Sequence, residues 1–143
     1  MQTLNHNCIF CRIIEKSIPN AIIYENEKYL AFMDKYPINH GHSLLVPKQH
    51  FENILEMPAS MVGEMYSIVP QLAKAILNVI NSDGFNVNQN NGKSANQIVP
   101  HVHVHIVPRY SVEKVKGQWP TRKIAKIKDL EILAEKIRLN ITH

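Results

Sequence analysis

Residues 101–109 read His-Val-His-Val-His-Ile-Val-Pro-Arg, and this alternation constrains the fold more than any other stretch of the chain. Side chains on a β-strand point to opposite faces in turn, so His101, His103 and His105 share one face and Val102, Val104 and Ile106 the other. Successive imidazoles then stand roughly 6.5 to 7 Å apart, and the apolar face is free to join a core. A strand of no special purpose would carry Thr, Lys or Glu on its polar side. Imidazole serves as nucleophile, proton carrier or metal ligand, which leaves two chemistries open. One is a zinc hydrolase in which the row binds a metal that activates water. The other is attack by one histidine on phosphorus while its neighbours orient it and polarise the phosphate. Catalytic zinc sites usually have a nearby acid, yet no Asp or Glu lies between Gly84 and Tyr110. The flanking residues Asn88, Gln89, Asn90, Asn91, Ser94, Asn96, Gln97 and Lys93 are neutral donors and one cation, which suits an anionic phosphate better.

The rest of the chain supplies a frame for that strand. Ile9, Phe10, Ile13 and Ile14 have helical spacing before Pro19, predicting a short N-terminal helix. Ala21 to Glu25, Tyr29 to Asp34 and His42 to Val46 are rich in β-branched and aromatic residues with turn signals between them, and they read as three antiparallel strands. Met61, Met65, Ile68, Leu72, Ile76 and Val79 recur at threes and fours and predict one long helix over about 60–80. Pro70 inside it should kink or break it, because proline lacks an amide donor and clashes with the preceding turn. Phe85 to Asn90 is the expected fourth strand, a polar loop follows to Asn96, His101 to Pro108 is the fifth strand, and Ile127 to Leu139 has the pattern of a closing helix. Hairpins with segregated helices imply an α+β fold, not a doubly wound parallel sheet.

The chain has 143 residues, 45% of them apolar and 20% charged, which fits one domain spanning residues 1–143 and disfavours disorder. No stretch has the roughly 18 consecutive apolar residues of a transmembrane helix, so no membrane insertion is expected, and Met1 to Asn7 lacks signal-peptide features, so the expected location is cytoplasmic. From Lys114 onward eight Lys and Arg face three Asp and Glu, so this extension carries +5 and the first 113 residues −1. Nucleic acid is nevertheless disfavoured as a partner, because no aromatics are interleaved with the basic residues and no recognition motif accompanies them. The two cysteines, Cys8 and Cys11, are separated by two residues, a spacing that belongs to metal or redox chemistry rather than to a secreted disulfide framework.

Several of these features occur together in one known family. The His-x-His-x-His run, the upstream loop with Gln97, the Cys8-Ile9-Phe10-Cys11 opening, Asp34, Gly41-His42 and Val46-Pro47-Lys48-Gln49-His50 resemble the histidine triad (HIT) superfamily, best its bacterial branch akin to the histidine triad nucleotide-binding proteins. The resemblance covers about Cys8 to Arg109 and weakens to Trp119. It implies a HIT-like α+β domain with a five-stranded antiparallel sheet, one long helix, a short N-terminal helix and a C-terminal helical extension.

The resemblance also implies hydrolysis or transfer at the α-phosphorus of a nucleotide, through a covalent nucleotidyl-histidine intermediate and with no catalytic cofactor. By position, His103 is the expected nucleophile. His105 and His42 are expected beside the phosphate, one holding the nucleophile's tautomer and the other stabilising charge or protonating the leaving group, and His101 completes the catalytic row. Asn90 and Gln97 are expected to donate to the phosphate, Asp34 to accept from the ribose hydroxyls, and Ile9, Phe10, Ile13 and Phe32 to form the slot for a purine base. The same resemblance assigns His50 and His101 as partners of Cys8 and Cys11 in a closed, structural Zn²⁺ site. It further implies a homodimer in which the two sheets join and Trp119 reaches the partner's site. Substrates of this class are nucleoside phosphoramidates, the phosphoramidase activity, or dinucleoside polyphosphates. A zinc-dependent hydrolase and a nucleotide-binding scaffold with little turnover remain the alternatives. Three positions depart from the pattern: Asn96 replaces a small residue and so narrows the loop or takes a left-handed backbone, Ile98 replaces a hydroxyl found in some relatives, and His40 replaces a common proline and reads as a turn residue.

Overall fold

The computed structural model describes residues 5–112 and 123–141. Trp119, Lys114, Lys116, Arg122 and His143 lie outside the described residues. Strands β1 (Ile22–Glu25), β2 (Tyr29–Met33), β3 (Ser43–Pro47), β4 (Gly84–Gln89) and β5 (Val104–Arg109) form one antiparallel sheet in the order β1-β2-β3-β5-β4. Among the described residues three α-helices accompany it, α1 (Ile9–Ile14), α2 (Ala59–Val79) and α3 (Ile127–Leu139), so the fold is the expected α+β arrangement. No helix among the described residues is long and apolar enough to cross a membrane.

The register sorts side chains between two cores. On one face, Tyr29, Ala31 and Met33 of β2, Leu45 of β3, and Val104 and Ile106 of β5 pack against Met65, Leu72 and Ile76 of α2 and Leu133 and Ile137 of α3. On the other, Leu30 and Phe32 of β2 and Leu44 and Val46 of β3 meet Phe10, Ile13 and Ile14 of α1. Both faces of β2 and β3 are therefore covered, and every residue of these two strands is buried. Phe32 pairs with Leu44, Leu44 with His105 and His105 with Asn88, which places the triad face on the α1 side of the sheet.

Two elements differ from expectation. Of the kink or break expected at Pro70, the break does not occur: helix α2 runs through it. The proline is exposed, so its ring stays out of the core, and the helix loses one amide donor without being interrupted. Strand β5 begins at Val104 rather than at His101. Its partner β3 ends on Pro47, which has no amide to donate, and the Pro47 carbonyl is instead bonded to the ring of His101. Val102 turns its amide to the Phe51 carbonyl at 2.8 Å. The three histidines thus straddle a strand start, which lets His101 serve a different neighbourhood from His103 and His105.

Candidate functional site

The segment between β2 and β3 brings His42 under the sheet. Gly41 there has φ +93°, a conformation L side chains rarely adopt, and a Cβ on it would sit 2.2 Å from Ile80 Cδ1. Only glycine lets the turn approach the end of α2 so closely. His42 is fully buried, and its Nδ1 accepts the Ile38 amide hydrogen at 3.0 Å. In the neutral ring the hydrogen must then lie on Nε2. That Nε2–H faces His105 Nδ1 at 2.9 Å and the Asp34 carboxylate at 3.4 Å. His105 therefore accepts on Nδ1 and carries its own hydrogen on Nε2. His103 Nδ1 lies 2.7 Å from the His101 carbonyl, which is an acceptor only, so His103 holds its hydrogen on Nδ1 and its lone pair on Nε2. The rings of His103 and His105 are 4.8 Å apart.

His103 and His105 line a cleft of about 390 Å³, within the size range of small-molecule sites. Ile9, Phe10, Ile13 and Phe32 form its apolar wall together with Leu44 and Val99, and Asp34, Lys35 and Tyr36 stand on its polar side. Leu44, Val99, Asn20, Lys35 and Tyr36 were missed from sequence. Leu44 was recoverable, since it alternates on β3 with Leu45 and so falls on the face opposite the main core. Asp34 lines the cleft and also accepts the Tyr36 amide hydrogen on Oδ1 at 2.8 Å.

Three side chains stand elsewhere in this structure than the sequence suggests. His42 lies behind His105 rather than in the cleft wall, and the partner of His103 Nδ1 is the His101 backbone carbonyl. His101 itself does not line the cleft, because Nε2 donates to the Pro47 carbonyl at 2.8 Å and Nδ1 faces the cysteines. Gln97 is turned into its own loop: its Oε1 accepts from the Gly92 amide, and its Nε2 donates to the carbonyls of Glu52 and Val99. Both of its neighbours reach the cleft instead, Ile98 and Asn96, the latter in the left-handed region with φ 69°. Asn90 lies next to that loop, its amide 3.5 Å from the Asn96 carbonyl. Ile98 stands largely exposed at the lip of the cleft.

On the far side of Phe10, four side chains converge. Cys8 Sγ is 3.3 Å from His101 Nδ1, Cys11 Sγ is 3.3 Å from His50 Nδ1 and 3.6 Å from His101 Nδ1, and the two Nδ1 atoms are 3.1 Å apart. Tetrahedral zinc with Zn–S of about 2.3 Å and Zn–N of about 2.0 to 2.1 Å sets N–N and S–N ligand edges of roughly 3.3 and 3.6 Å, close to these separations. The tautomer fits as well: His101 donates from Nε2 to Pro47, which leaves the Nδ1 lone pair aimed at the cluster. Burial pushes the Cys11 thiol up to about 11 and the His101 imidazole down to about 4, so both favour their neutral forms until a cation compensates a thiolate. Asp34, His42 and His105 also offer ligand atoms within 4.8 Å of one another. They do not fit a metal in the same way, because the Ile38 amide occupies His42 Nδ1 and thereby places a hydrogen on the inward Nε2.

The HIT domain family matches residues 15–112. The chain is 43% identical over 107 residues to the adenylylsulfatase HINT3 of Arabidopsis thaliana, covering 75% of this chain and 54% of that longer protein. It is 40% identical over 123 residues to the adenosine 5'-monophosphoramidase HNT1 of Saccharomyces cerevisiae, covering 85% of this chain and 75% of that one. Among solved structures, a zinc-bound histidine triad family protein from Mycobacterium smegmatis superposes with a TM-score of 0.80 at 31% identity, over 93% of this chain and 91% of that one. With its histidines on one flank of a five-stranded sheet and most of its length matched, this chain belongs to the HIT domain family.

Proposed function

We propose that this protein hydrolyses nucleotides at the α-phosphorus, with His103 as nucleophile. The observation that carries this reading is the pair of fixed tautomers. Because Nδ1–H is given to the His101 carbonyl, the His103 lone pair is on Nε2 and can attack without prior deprotonation. Because His42 donates to His105 Nδ1, the remaining hydrogen of His105 is on Nε2, where it can bond to a phosphoryl oxygen as negative charge builds. In the first step the Nε2–P bond forms and the bond from phosphorus to the leaving group breaks, the leaving group taking the electron pair. In the second, water adds its oxygen to phosphorus as the P–N bond breaks, releasing a nucleoside monophosphate. The two protons that water gives up balance those an amine takes in leaving as ammonium; with sulfate as leaving group they pass to solvent.

The apolar wall of Ile9, Phe10, Ile13 and Phe32 suits a purine face, and the Asp34 carboxylate suits ribose hydroxyls. Names of relatives favour adenylyl substrates with a nitrogen or sulfate leaving group. A single turnover with an adenosine phosphoramidate, acid-quenched and analysed by mass spectrometry, should show an adenylyl adduct on His103. His103→Ala should lower kcat by at least 10³-fold and keep AMP affinity within a few-fold. Normal turnover with no adduct would sink the covalent reading, whereas a His103→Ala protein indistinguishable from wild type would leave a binding role.

We infer a structural zinc ion at Cys8, Cys11, His50 and His101, which fits the donor set and separations above. Zinc there supplies cohesion: four protein ligands leave no open position for water. We also infer a homodimer through β4, an edge strand that exposes Phe85 and Val87.

A further inference from the structure

We propose that the metal centre and the nucleotide cleft are energetically coupled through His101 and Phe10, so that each binds its ligand more tightly when the other is filled. This rests on the nucleotide and zinc readings above. His101 belongs to both sites by different atoms: its ring faces the two cysteines, while its carbonyl fixes the nucleophile's Nδ1–H at 2.7 Å. A metal that holds the ring therefore holds the carbonyl, which makes His101 a positioning residue for His103. Phe10 sits between the two cysteines in sequence and packs edge-on against His103 at 5.0 Å, His101 at 5.8 Å and Phe32 at 5.5 Å. It also lines the cleft.

The wall that Phe10 belongs to has little else to hold it. Helix α1 is six residues long, too short to persist unaided. Among the described residues, the backbone hydrogen bonds made from Cys8 to Ser17 reach no further than Asn5 and none goes to the sheet. Its position on the sheet thus depends on side chains: the apolar contacts of Phe10, Ile13 and Ile14, the Lys16–Glu25 ion pair at 2.8 Å, and the Cys/His cluster. Fastening the cluster orders the wall before a base arrives, and a base stacked on the wall orders the cluster. Linkage requires the two effects to be equal.

The coupling is read without turnover. Zinc-loaded full-length protein is titrated with a chromogenic chelator, with and without saturating AMP, after calorimetry has established AMP binding. Bound AMP should lower apparent zinc loss at least five-fold. In Phe10→Ala the effect should shrink to less than two-fold while zinc is still retained. In chelator-treated protein that circular dichroism shows folded, the His103 nitrogen-15 shifts at fixed pH should change from the Nδ1–H form to a mixture of tautomers. Zinc loss unaffected by bound AMP overturns the coupling alone. Full coupling in Phe10→Ala overturns the route through that ring. Failure of the loaded protein to bind AMP overturns the nucleotide reading, and this inference with it.

Discussion

Gln97 shows how a single side chain can be conspicuous for one reason and placed for another. A polar residue just ahead of a histidine row invites a role at the phosphate, yet its amide joins three backbone groups, the Gly92 N–H and the carbonyls of Glu52 and Val99. It is buried, so its removal strands groups that water reaches poorly, at a cost of about 1 to 3 kcal/mol for an unsatisfied buried partner. Gln97→Ala should therefore lower the denaturation midpoint and loosen the 91–98 loop, with kcat falling as a consequence. An unchanged melting temperature with a selective loss of kcat would restore the phosphate role. The neighbouring Asn96 was legible: a bulky polar residue in place of a small one allowed a left-handed backbone, and φ 69° is what the loop uses. The His103 tautomer was not legible, because its partner is a main-chain carbonyl, and every residue has one.

At the scale of elements, the least expected dependence is that of α1. Its helical spacing was readable from Ile9, Phe10, Ile13 and Ile14, but spacing does not say what anchors six residues to a sheet. Cys8 caps the helix by accepting the Cys11 amide on sulfur and simultaneously faces His101. Cys8→Ser should lower both bound zinc, measured by elemental analysis, and the melting temperature, while some turnover persists. Zinc content at one equivalent per chain with unchanged stability would argue against the site. For α2 the periodicity located the helix, and of the kink or break expected at Pro70 the break does not occur; the proline lies on an exposed turn, a property of its surroundings rather than of the residue. The late start of β5 has the same origin, since it depends on Pro47 lying across from it in the neighbouring strand.

Over the whole molecule the sheet is asymmetric. At one margin β1 is covered by α3, whereas β4 at the other leaves Phe85 and Val87 about 40% exposed. Unpaired edges with apolar side chains favour pairing with another chain. If two copies join there, Val87→Lys should shift the sedimentation coefficient from dimer to monomer, because a charge facing its counterpart across a symmetric interface is repelled. A wild-type protein sedimenting as a monomer at micromolar concentration would remove the proposed dimer. The basic extension carries much of the chain's positive charge, and within it α3 packs Leu130, Leu133 and Ile137 against the sheet and α2 while leaving its Lys residues to solvent.

The amino-acid sequence determined that this chain makes an antiparallel sheet with imidazoles on one flank, because alternation along a strand is a local rule that follows from backbone geometry alone. Only the tertiary structure decided that His42 stands behind His105, that the His101 ring bonds the Pro47 carbonyl, and that a backbone carbonyl rather than a side chain sets the His103 tautomer. Those outcomes depend on where Pro47, Ile38 and the His50 segment lie in space, and contacts between residues tens of positions apart leave no periodic mark on the sequence.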